Sequence, residues 1–171
     1  MAKAVLVSIR PEWAKKILAG EKTLEVRKTR PKLGTPFKCH IYCTMDHPYI
    51  SISCGELDKL NYRTNTVGRC NGKVIGEFTC DRIYELAPLN HAPDDVEKQA
   101  CLTREEIVNY LKGTGYGWHI VGLRIYDQLR ELSEFTGLRN TRFGAAPYEI
   151  KRPPQSWCYV EEWKQKELED A

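Results

Sequence analysis

The sequence predicts an α+β fold: a small, curled mixed sheet or β-barrel of about six strands with two or three flanking helices. Three observations lead there. Segments of alternating apolar residues outnumber segments of helical periodicity. The first helix falls between the first two strands, and the connections between several strands are too short for repeated βαβ crossovers.

Residues 4 to 9 (AVLVSI) place Val5, Val7 and Ile9 on one side and read as the first strand. Pro11 then suits the first turn of a helix, PEWAKKILAG, in which Trp13 and Ile17, and Ala14 and Leu18, lie four apart, with Gly20 as its stop. The second strand, Lys22 to Lys28, points Leu24 and Val26 one way and Thr23, Glu25 and Arg27 the other. After TRPKLGTP, the third strand FKCHIYCT aligns Phe37, Cys39, Ile41 and Cys43.

Residues 45 to 72 are polar and read as a long connection, longer than loops inside compact domains usually are. A fourth strand, GKVIGEFTCDRIYEL, is expected to bend at Gly76. A helix near 93 to 100 is followed by a clearer one at 103 to 112. There Leu102, Thr103, Glu106 and Ile107 make a capping box with a hydrophobic staple, and Gly113 ends the helix. HIVGLRIYDQL, with Val121, Leu123 and Ile125 aligned, and a closing strand after RPPQS, with Trp157 and Tyr159 on one face, complete the count.

The 171 residues suit a single domain, 1–171, with a long loop or insertion at about 45–72. No apolar stretch approaches the roughly 18 residues of a membrane-spanning helix. The segment MAKAVLVSIRPEW lacks the pattern of a secretory signal, so a cytoplasmic protein is expected. The net charge of +3 is unevenly spread, with ten Lys or Arg against three acids in residues 1 to 40 and five acids against two lysines in the last eleven. A basic N-terminal third fits an anionic partner or an ordinary solvated face. Seven cysteines at irregular spacing argue against a disulfide framework. Cys39, Cys43, Cys54 and Cys70, with His40 and His47, contain the ligand types of a zinc site, but only Cys39 and Cys43 have the paired spacing, and those two fit buried strand positions equally well.

The order of SIRPEWAKKILAGEKTLEVRK, KVIGEFTC, LTREEIVNYL, GYGWHIVGLRIYD and RPPQSWCYV resembles the ASCH domain (activating signal cointegrator homology) of the PUA-like superfamily, in its small stand-alone bacterial and phage form. The most specific element is the helix followed by G-x-K-x-x-E-x-R, here Gly20, Lys22, Glu25 and Arg27. The resemblance implies a PUA-like barrel that binds RNA in a groove beside the first helix. It also implies, as an alternative, a small hydrolase: an N4-acetylcytidine-type amidohydrolase or a metal-independent ribonuclease. The partner is then RNA or a modified nucleoside, with no cofactor, metal or membrane.

For binding, Lys22, Arg27 and Lys28, joined by Arg10, are the candidate phosphate contacts. Glu25 either accepts from a base amino group or orients Arg27, and Tyr42, Trp118 or Trp157 offers a stacking face. The competing readings are a structural Glu25–Arg27 ion pair and core packing for Trp157.

For hydrolysis the candidates are Lys22, Glu25 and Tyr42. The resemblance implies a lysine after the helix, a threonine three residues on and a glutamate in the second helical region. Lys22 matches; Glu25 stands at the threonine position with Thr23 nearby, and the glutamate position falls near Ala100, with Glu97 the nearest acid. Glu25 beside Lys22 is expected to keep the lysine charged, which suits binding more than base catalysis. A ribonuclease would gather Lys22, Tyr42 and Ser156 around the scissile phosphate.

Overall fold

A computed structural model describes residues 2–52, 68–86 and 89–164. Strand β1 (Lys3–Ile9) runs parallel to β3 (Phe37–Cys43), and the chain between them holds helix α1 (Pro11–Leu18) and the four-residue β2 (Leu24–Arg27). A parallel pair requires such a long crossover. Pro11 opens α1, and Gly20, at φ 75°, lets the chain turn away from it.

β6 (Val74–Glu85) and β7 (Tyr116–Arg130) form a long antiparallel pair, and β10 (Trp157–Glu161) closes on the free side of β1. With β8 (Thr136–Thr141) and β9 (Gly144–Glu149) the order is β2-β7-β6-β3-β1-β10-β8-β9. Short strands β4 (Ser51–Ile52) and β5 (Gly68–Arg69) make a separate ribbon within the long connection, whose residues 53–67 lie outside the described ones.

The expectation of a six-stranded barrel is corrected in two respects. The main sheet has eight strands, because the β8–β9 hairpin carries Gly, Ala and exposed polar residues and so lacks an alternating apolar signal. Nor does the ladder close among the described residues: β2 and β9 are its ends. β1 is paired on both sides, so β2 cannot join it, and the Arg27 side chain bridges that gap instead, donating to Ser8 O and Ser156 O.

Both faces of β1 are buried. Val5, Val7 and Ile9 join the main core with α1, while Ala4 and Leu6 join a second core with Tyr42, Tyr126 and Val160. In β6, a Cβ at Gly76 would stand 2.5 Å from Arg124 O, and the register against β7 shifts at this point, as the expected bend requires. β7 starts earlier than expected, at Tyr116, and its apolar alternation breaks where Gly122 adopts φ 60°. Trp118, Ile120 and Ile125 therefore reach one core despite their mixed parity.

Helix α2 (Val96–Ala100) and helix α3 (Arg104–Leu111) pack Val96, Ala100, Ile107 and Leu111 against Leu24 and Val26. The capping box forms as expected, but Lys112, at φ 51°, takes the left-handed position ahead of Gly113. Cys39, Cys43, Cys80, Cys101 and Cys158 are free thiols, and Cys54 lies outside the described residues. No described helix is long and apolar enough to cross a membrane.

Candidate functional site

With Leu24 and Val26 committed to the helices, the intervening residues of β2 turn Glu25 and Arg27 toward the gap beside β1. That gap is a cleft of about 660 Å³. Trp13 of α1 forms one wall, Leu102, Asn109 and Tyr110 form another, and Ser8, Thr44 and Gln155 also line it.

The centre of the cleft is a buried charged cluster. Lys22, Glu25 and Arg27 are 3%, 6% and 8% exposed. Arg27 Nε donates to Glu25 Oε1 at 3.0 Å, Nη2 donates to Ser8 O at 2.6 Å, and Nη1 reaches Ser156 O and Oγ at 3.3 and 3.2 Å. Every arm of the guanidinium is thus used within the protein. Lys22 Nζ donates to Ala100 O at 2.6 Å and lies 5.2 Å from the centre of the Trp13 ring. Glu25 Oε2 is 4.0 Å from that ammonium and has no hydrogen-bond partner among the described residues.

Burial lowers the Lys22 pKa below its ordinary value; Glu25 and Cys101 oppose the shift, and Arg27 and Lys16 add to it. Desolvation thus outweighs the attraction of the Glu25 carboxylate in setting the direction of the shift. A lysine of this kind can serve as a hydrogen-bond donor or, once deprotonated, as a base.

The structure gathers some of the expected residues and separates others. Arg10 is exposed at the cleft mouth, 3.9 Å from Asp46, and Lys28 lies just outside, its Nζ 5.2 Å from the centre of the Tyr110 ring. Lys28 instead borders a second groove with Thr29, Arg30, Lys32 and Tyr116. Tyr42 packs in the second core and is not among the residues lining the cleft. Of the three residues Lys22, Tyr42 and Ser156, Lys22 lines the cleft and Ser156 bonds to Arg27 there, whereas Tyr42 packs in the second core. Trp118 is fully buried in the main core, and Trp157 packs against it while donating to Thr29 Oγ1 at 3.0 Å. Glu97 accepts from Arg104 N at 2.7 Å, and Ala100 contributes only its carbonyl to Lys22.

The aromatic residues that do line the cleft are Trp13 and Tyr110. Trp13 was disguised by its four-residue spacing from Ile17, which reads as a core stripe; its lysine neighbours at 15 and 16 were the available hint. Among the described residues, no three His, Cys, Asp or Glu side chains gather as metal ligands do.

No protein-family model and no curated protein matches this sequence. Solved structures do resemble it. The ASCH protein of Zymomonas mobilis is 18% identical at a TM-score of 0.54, covering 93% of this chain and 88% of that one. Two variants of that protein align similarly: one at 18% identity and TM-score 0.54, covering 94% of this chain and 92% of that one. The other has 20% identity and TM-score 0.52, covering 93% and 89%.

Proposed function

We propose, taking as premise the ASCH-domain fold that this chain has and the PUA-like architecture that goes with it, that the protein binds single-stranded RNA with one unpaired nucleobase in the cleft between α1, β2 and α3. The observation that carries this reading is the cleft itself: an aromatic wall at Trp13 beside a fixed polar floor at Lys22 and Glu25. Unstacked bases are recognised by that combination of a ring face and an edge-reading floor. The balanced lining, with Arg10, Lys22 and Arg27 against Glu25, Asp46 and Glu106, suits a neutral base better than a phosphate. Phosphates belong on the cations outside, Lys28 and Lys32 among them. A cytoplasmic setting accords with the free thiols.

Fluorescence anisotropy with a labelled mixed single-stranded RNA, repeated over a salt series, tests this. Saturable binding that weakens with salt and drops on Trp13→Ala is expected; no saturable binding at low salt would refute the proposal.

A hydrolase acting on a modified nucleoside is the second reading, favoured by the lowered pKa of Lys22 at the cleft floor. It requires N4-acetylcytidine to be converted to cytidine and acetate, followed by chromatography, with turnover lost in Lys22→Ala.

A further inference from the structure

The two carboxylate oxygens of Glu25 are in unequal situations. Oε1 accepts from Arg27 Nε at 3.0 Å, and Arg27 is itself held by Ser8 and Ser156, so the carboxylate is fixed from one side. Oε2 is buried, and no donor among the described residues bonds to it. Lys22 Nζ, at 4.0 Å, is beyond hydrogen-bond reach and is already engaged with Ala100 O. Glu25 is only 6% exposed, yet it lines the cleft. Buried polar oxygens are nearly always paired, and an ionised one left without a donor is costly. An acceptor held in this state is set to receive an N–H from whatever enters.

We infer that Glu25 Oε2 is the base-reading atom of the cleft and selects an amino-bearing base, cytosine or adenine, by accepting from its exocyclic amino group. The inference rests on the nucleic-acid reading above and specifies its ligand. Lys22 stands beside that oxygen, placed to donate to the adjacent ring nitrogen, N3 of cytosine or N1 of adenine. Uracil held in that register offers a carbonyl to Oε2, setting acceptor against acceptor, and N3–H where Lys22 needs an acceptor. Guanine, entering by its 2-amino group along the same Watson–Crick edge, offers N1–H where Lys22 needs an acceptor. A phosphate meets the carboxylate as a like charge, so the base and not the backbone reaches the floor.

The test uses labelled hexamers of cytidine, of uridine and of N4,N4-dimethylcytidine, which retains the ring but has no N–H to give. Anisotropy should show the cytidine hexamer bound about tenfold tighter than the uridine hexamer, the dimethylated hexamer falling to the uridine level. Glu25→Gln, which can present either an oxygen or an amide, should bring the first two within about twofold. Equal affinities for cytidine and uridine in the natural protein would overturn the base-reading role and leave RNA binding standing. Binding of none would overturn both. A preference that survives in folded Glu25→Gln, judged by a cooperative thermal transition, would remove Glu25 from the role. Should that variant not fold, tight binding of the dimethylated hexamer by the natural protein overturns the inference by itself.

Discussion

Arg27 donates four hydrogen bonds, to Glu25, Ser8 and both the carbonyl and the hydroxyl of Ser156, and so closes with a side chain the gap that no strand pair fills. Removing one member of a buried pair leaves the other charged and unpaired, which typically costs about 3–5 kcal/mol. Arg27→Ala should therefore lower unfolding free energy by about that much in urea titrations, and a loss below about 1 kcal/mol would show that the bridge is dispensable. Lys22 carries a pH signature of the opposite kind. Its folded pKa lies below 10.5, so between the folded value and 10.5 the unfolded chain holds a proton that the folded one has released. Stability then rises with pH across that interval. Measured against Lys22→Met, which cannot titrate, the natural protein should gain stability as the pH rises toward 10.5, and a flat difference would contradict the lowered pKa. The alternation of β2 sets Glu25 and Arg27 on one face, and Lys22, which precedes the strand and was singled out by the motif, stands beside them in the structure. Their burial was not legible, because it comes from α2, α3 and the 155–156 segment, which meet β2 from far along the chain.

Helix α3 shows how local signals become a wall of the cleft. Thr103 Oγ1 accepts from Glu106 N at 3.1 Å, Glu106 Oε1 accepts from Thr103 N at 3.1 Å, and Ile107 is fully buried against the β2 cluster. Asn109 and Tyr110 follow on the same short helix and line the cleft. Thr103→Ala should cost about 1 kcal/mol by loss of the cap. Ile107→Ala should cost about 2–5 kcal/mol through the cavity it leaves, and should weaken RNA binding as well, since it loosens the wall that carries Tyr110. Thermal unfolding and anisotropy on the same two proteins check both effects; unchanged RNA affinity in Ile107→Ala would separate α3 from the site. This helix was legible because its cap, staple and periodicity all lie within ten residues. The β8–β9 hairpin was not, since only Gly137 and Leu138 of its two strands are buried and β9 is an end of the sheet, which leaves no apolar alternation to read. In β7 the pattern was present but broken, because the left-handed turn at Gly122 shifts which residues face the core.

Across the whole molecule, the uneven charge visible in the sequence resolves into two different surfaces. The cleft lining balances three cations with three anions, and Arg27 is consumed internally. The neighbouring groove has Lys28, Arg30 and Lys32 with no acid in its lining, although Arg30 also donates to Pro31 O and Leu33 O and helps shape the loop. The basic run at 20 to 32 is thus part floor and part rim, a division that charge counting cannot make because it depends on which face of β2 is sealed. The physical consequence concerns counterions: phosphate contacts by exposed lysines release them, whereas a buried lysine facing a base does not. Lys28→Ala combined with Lys32→Ala should flatten the log–log salt dependence of RNA binding by about 1.4, or about 0.7 per contact on single strands. Lys22→Met should weaken binding at every salt concentration and leave the slope unchanged. The reverse result, with the slope moved by Lys22 and indifferent to Lys28 and Lys32, would put the backbone in the cleft and require the base to lie elsewhere.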